Sequence, residues 1–459
     1  MPDEGRPLRL GNKSFENVVR TDERYGHDGL WLGPRGRDYG ALLEHPKPYQ
    51  IANLYPDQNS SYWIGTVQLP PVSVLVLRGR YPYARYFQFA LYRPDPGMGS
   101  FTATSEAAMD NEIQPDEGSA NPFVPGAPRL GEHRDYTLRI VADDAPARKE
   151  DRKPNTLYAG KDGYVQMVYR VYLPDVNRDG SGDVGLPKYE AVLADGTKLP
   201  ADAVRQQLNR PMTGGVASGM TLEQWLALVH APDNDPDLTP ESSPARNPPV
   251  VERYFNNQYN LIGVFKPEKL RAKMSGKAET GFGGDPATLF MFAFSSRAFG
   301  PVLVLRGKMP VFPDTFMGDN GKGLEAMTDW ECRYWSVIQS EAPPSGKGAD
   351  ALTDMQVPLD EDRNYTIVVC RPEDRPANAT EENGVAWLDW GIRGEGLDDA
   401  ANRTDFGFLV FRFMYNNPKW KHNPNTITVP GTEAEVMGPY YPQGVYTDKA
   451  TFEATGPRT

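Results

Sequence analysis

Val74-Leu75-Val76-Leu77-Arg78-Gly79, with Pro82 after it, recurs as Val302-Leu303-Val304-Leu305-Arg306-Gly307 with Pro310 after it. Four apolar residues in a row, ended by Arg-Gly, suit a strand covered on both faces. Working outward from this pair, three more segments repeat in the same order. Arg85-Tyr86-Phe87-Gln88-Phe89 answers to Arg333-Tyr334-Trp335-Ser336-Val337, and Arg134-Asp135-Tyr136-Thr137-Leu138 to Arg363-Asn364-Tyr365-Thr366-Ile367. Val168-Tyr169-Arg170-Val171 answers to Val410-Phe411-Arg412-Phe413. Four anchors in one order mark an internal duplication. In Arg85 to Tyr92 the two-residue period puts Phe87, Phe89 and Leu91 on one face and Tyr86, Gln88 and Tyr92 on the other.

The fold class that follows is mainly β: two diverged copies of an antiparallel β-sandwich or jelly-roll-like domain, with a few short helices. The abundance of Gly and Pro (44 and 43) supports it, because such punctuation favours short strands joined by turns. The expected layout is an N-terminal extension over 1–50, copy one over 51–198, a helical and irregular linker over 199–250, copy two over 251–422 and a C-terminal extension over 423–459. Copy one carries a Pro-rich excursion from Pro94 to His133, and copy two an insertion from Phe312 to Thr328. In the linker, Leu199 to Asn209 and Thr221 to Ala231 read as helices. Thr221 is the expected N-cap, and Leu222, Trp225, Leu226 and Val229 form the apolar stripe.

With 459 residues the chain fits two or three domains. A net charge of −12, with basic residues interleaved among acids, argues against a nucleic-acid partner. No run approaches ~18 apolar residues, so no membrane-spanning helix is expected. Met1 to Gly11 lacks the apolar core of a signal peptide, which fits either a cytoplasmic protein or a mature extracellular or periplasmic one. No phosphate loop or dinucleotide fingerprint is present, and neither nucleotide nor haem is expected.

Asp175, Asn177, Asp179, Ser181 and Asp183 alternate around Gly180, like the first part of a calcium loop, and a structural Ca²⁺ would suit such oxygen ligands. Against this, Leu186 stands where a closing Glu belongs, and Asp, Asn and Gly are also the default turn residues. The repeated arginines (Arg78 with Arg306, Arg85 with Arg333, Arg170 with Arg412) read as structural, something each sandwich needs for itself. Asp57 and Asp285 are the expected partners.

Function is better sought where the copies differ. Copy two concentrates Asp329, Trp330, Glu331 and Trp335, and separately Trp387, Asp389 and Trp390. Asp329, Glu331 and Asp389 are candidate catalytic carboxylates, since paired acids serve glycoside chemistry. The four tryptophans could stack a sugar or aromatic ligand; equally, large aromatics are mostly core. Cys332 and Cys370 could form a cross-strand disulfide if their strands are neighbours, and otherwise are buried thiols. The five histidines form no metal-spaced pair.

Arg333-Tyr334-Trp335-Ser336, Tyr365-Thr366-Ile367-Val368-Val369 and Glu435-Val436-Met437-Gly438-Pro439-Tyr440 give the chain a resemblance to exported bacterial tandem β-sandwich (jelly-roll-like) proteins of unknown function. The resemblance implies an extracytoplasmic setting and brings no catalytic residue. The leading expectation is a non-catalytic binding protein for a small molecule, glycan or protein. One alternative is a hydrolase or lyase with its site in copy two or between the copies. The other is a subunit of a surface assembly, a homo-oligomer included, in which the C-terminal segment supplies an edge strand to a neighbour.

Overall fold

The computed structural model describes residues 30–35, 57, 59–93, 103–175, 178–210, 222–239, 241–276, 287–315, 327–343, 348–392, 394–395 and 403–456. Copy one contributes β1 (Leu32–Arg35), β2 (Ser60–Gln68), β3 (Val74–Arg80), β4 (Ala84–Arg93), β5 (Ala103–Met109), β6 (Asp135–Val141), β7 (Thr156–Tyr158), β8 (Tyr164–Pro174), β9 (Lys188–Val192) and β10 (Lys198–Leu199). Copy two contributes β11 (Glu252–Arg253), β12 (Thr288–Ser296), β13 (Val302–Lys308), β14 (Cys332–Ser340), β15 (Gly348–Thr353), β16 (Asn364–Cys370), β17 (Val385–Asp389), β18 (Phe406–Asn416) and β19 (Gln443–Thr447). Helices α1 (Ala201–Gln207), α2 (Leu222–Val229), α3 (Glu268–Ala272), α4 (Glu433–Met437) and α5 (Lys449–Thr455) are short.

Four sheets result, and they match in pairs. β1-β2-β8-β4-β5 has the same order as β11-β12-β18-β14-β15, and β9-β3-β6-β7 the same as β19-β13-β16-β17. Among the described residues only β10, beyond β9, has no counterpart. Even the exception to antiparallel pairing repeats: β6–β7 and β16–β17 are both parallel, so the wholly antiparallel expectation is corrected at one strand pair per copy. Within the segment read as a C-terminal extension, β19 adds an edge strand to copy two, paired to β13 as β9 is to β3.

Each copy closes its own core between its two sheets. Leu75 and Leu77 of β3 meet Phe87, Phe89 and Leu91 of β4, while Leu303 and Leu305 of β13 meet Trp335 and Val337 of β14. The Arg-Gly ending has a packing cause. Gly79 lies opposite Tyr136 and Gly307 opposite Tyr365, and a Cβ on either glycine would come within 2.4 and 2.7 Å of the tyrosine hydroxyl. The ring covers a strand position that no larger residue could occupy. Arg134 donates to the carbonyls of Tyr81 and Pro82, and Arg363 to those of Met309 and Pro310, so each copy fastens the turn after its motif in the same way.

The middle segment is shared: α1 packs on copy one through Val204, and the part from α2 onward covers copy two. Trp225 of α2 is buried with Phe265 and Phe406, and its indole N–H donates to Glu395, itself paired with Arg403. Thr221 lies outside the described residues.

Candidate functional site

The cleft expected between the copies is filled. Arg85 on β4 pairs with Asp354 of copy two at 3.1 Å, and its counterpart Arg333 on β14 pairs with Asp110 of copy one at 2.8 Å. All four side chains are fully buried. The acids are equivalent as well: Met109 faces Gln88 as Thr353 faces Ser336, so Asp110 and Asp354 each follow the same register position. The join is therefore reciprocal, as in a twofold contact between identical subunits. Arg85 also donates to Thr315 and to the carbonyl of Arg333, and Arg333 to the carbonyl of Phe123. Burial pushes the Asp110 carboxyl up to about 7, against the lowering effect of Arg333 and of the Asn111 and Phe87 amides. Asp354 is raised by the same cause, and the Trp335 amide donates to it at 2.9 Å.

Asp57 completes the join. It accepts from Tyr334 at 2.8 Å and Ser336 at 2.6 Å, and lies 3.2 Å from Arg412. Around it Tyr86, Tyr172, Tyr334 and Met414 pack as one cluster spanning both copies. The expectation that each arginine serves its own sandwich is corrected here: Arg85, Arg333 and Arg412 each serve the other copy. Arg170 instead reaches Gln88 and Tyr92 within copy one. Asp285 lies outside the described residues.

The copy-two candidates do not converge. Glu331 accepts from the Val311 amide and the Tyr440 hydroxyl, beyond the far end of β13. Asp389 ends β17 beside Cys370, which pairs with Val302 at the start of β13. A seven-residue strand separates them, roughly 20 Å. Asp329 is exposed, next to Trp330. Trp335 and Trp390 are buried in the core, so neither offers a ring face to solvent. Trp330 lies over the Arg333 guanidinium and donates to the Tyr415 carbonyl. Half-buried Trp387 stacks with Arg375 and donates to the Cys370 carbonyl.

In the loop after β8, Asp179 accepts from the Ser181 amide and hydroxyl and from the Asp183 amide, which is the bonding of a polar turn. Asp175 is buried against Arg129, and Asp183 is paired with Arg178. Asn177 lies outside the described residues. Among the described residues, no group of three or more His, Cys, Asp and Glu is gathered to hold a metal ion. Cys332 and Cys370 are free and buried on strands of different sheets, so of the two options the buried thiols hold. Burial pushes both thiols up, Cys370 to about 12, far from a reactive thiolate.

The residues that stand out were read from sequence only as structural. Arg306, Thr366, Asn364 and Gln443 line a half-open cavity of about 480 Å³ on the outer face of the second sheet of copy two, with Leu359, Asp360, Pro439 and Tyr441 also in its walls. Asp360 shapes one wall by accepting from the Asp362 and Asn364 amides and the Asn364 side chain. Tyr441 is fixed by accepting from the Val251 amide. Burial lowers the pKa of Arg306, which remains a cation. In copy one the equivalent Arg78 is solvated and bonded at 2.7 Å to Glu190 of β9. Register puts Val445 of β19 where Glu190 stands. That exchange of acid for valine was the available sequence signal, hidden because β19 was not recognised as a copy of β9.

No family model matches the chain, and no curated protein does. Among solved structures, an uncharacterized protein from Burkholderia cenocepacia matches over 98% of this chain and 92% of its own, with 11% identity and a TM-score of 0.45. A protein from Vibrio parahaemolyticus matches over 95% and 96%, with 12% identity and a TM-score of 0.36. Likenesses this weak carry no functional inference. Among the described residues no helix is long and apolar enough to cross a membrane.

Proposed function

We propose that the chain is a non-catalytic binding protein in which copy two takes a small anionic ligand on the outer face of β13 and β16. One observation carries the reading: at the sheet position where copy one has exposed Arg78, Arg306 of copy two lines a half-open cavity together with Asn364, Thr366 and Gln443. A cavity of about 480 Å³ is within the range that small molecules fill. A guanidinium recognises carboxylate or phosphate through paired N–H donors, and neighbouring amide and hydroxyl groups add hydroxyl recognition. A jelly-roll-like closure of each sandwich and an extracytoplasmic setting belong to this reading.

Calorimetric titration with inorganic phosphate, citrate and galacturonate tests it. At least one should bind the wild type and the Arg78→Ala variant alike and lose binding at least tenfold in Arg306→Ala. Absence of binding by all three, or equal loss in both variants, contradicts the assignment.

A further inference from the structure

β19 ends its sheet, and among the described residues no backbone group hydrogen-bonds to it from the side away from β13. Copy one treats the equivalent edge differently. There the chain turns at Leu193–Thr197 and lays β10 antiparallel on β9, pairing Lys198 with Val192 and Leu199 with Ala191. In copy two the chain after β19 is diverted instead, because Asp448 caps α5 by accepting from the Thr451 amide. Among the described residues, the seat that β10 fills in copy one has no such occupant in copy two.

We propose that β19 of a second copy of this chain fills it, joining two molecules across a twofold axis at Val445. The composition of the strand favours itself as partner. Gln443-Gly444-Val445-Tyr446-Thr447 has no charge, whereas open sheet edges are ordinarily guarded by charge or Pro. Antiparallel pairing about Val445 sets Val445 against Val445, Gly444 against Tyr446 and Gln443 against Thr447, with no like charges opposed. β9 could not self-pair in this way, since Glu190 would face Glu190. Val445 is 55% exposed, and Val250, 47% exposed, follows the Pro249 that packs on Gly444. Both valines would be covered in the dimer. The contact is isologous and closes at two.

Light scattering on the full chain should give a dimer that Val445→Lys converts to a monomer with the circular dichroism of the wild type. An orthogonal variant keeps the test independent of association strength. Val445→Cys should form an intermolecular disulfide under mild oxidation, while exposed Val429→Cys should not; Cys332 and Cys370 are too buried to interfere. A monomer at all concentrations with no Val445→Cys cross-link overturns the proposal. So does a dimer indifferent to Val445→Lys, or a monomer whose β19 edge instead captures a foreign extended peptide.

Discussion

The two copies share a strand plan and differ in what lies on the outer face of the second sheet. In copy one that face is wet: Arg78, Arg139 and Lys188 are exposed on three adjacent strands. In copy two the register equivalents of Arg139 and Glu190 are Val368 and Val445. Val302, Val304, Val368 and Cys370 are buried there beneath Phe452 of α5, with Ala379 and Val385 beside them. Covering the face leaves Arg306 at the margin of the cover, in a cavity. The comparison teaches that duplication left the first sheets of both copies to make the join and freed one second sheet to diverge.

The largest expected effect tests the shared part. Arg333→Ala would leave Asp110 buried without its cation, and Arg85→Ala would do the same to Asp354. Each should cost about 3–5 kcal/mol in denaturant unfolding. A large loss in one variant beside a negligible loss in the other would break the reciprocity. Next, Gly79→Ala and Gly307→Ala should each cost about 1–3 kcal/mol, because the tyrosine over the glycine must move. Unequal costs would mean the two motifs are not packed alike. Asp179→Ala should cost about 1 kcal/mol through three lost turn hydrogen bonds, with the same melting temperature in calcium and in chelator. A calcium-dependent melt that the variant abolishes would identify the loop as a calcium site. Smallest is Arg78→Ala: its exposed pair with Glu190 contributes about 0–1 kcal/mol. That variant sharpens the comparison by leaving ligand binding intact.

Much of the fold was legible because local patterns carry it. The Val-Leu-Val-Leu motifs, the parity of Phe87, Phe89 and Leu91, and the two helices of the middle segment depend on residues near in sequence. Tyr86, Gln88 and Tyr92 were placed on the correct face, yet that face is buried, since another copy of the sheet covers part of it. No period in the chain could reveal that contact. Asp57 was singled out as a partner of the repeated arginines and does pair with one, Arg412, but across the join rather than within its own sandwich, because that pairing depends on how the halves dock. β5 was hidden in the Pro-rich excursion, and β15 drew no reading at all, both being short and weakly apolar. The cavity was least legible of all: its walls come from β13, β16, the Pro439 turn and β19, and only tertiary structure assembles them.

Heating the full chain in a scanning calorimeter addresses the reciprocal join most directly. Buried pairs that cross in both directions should make the copies unfold together, in one transition whose calorimetric and van't Hoff enthalpies agree. Two resolved transitions, or a calorimetric enthalpy about twice the van't Hoff value, would mean that the copies unfold independently and that the join does not unite them.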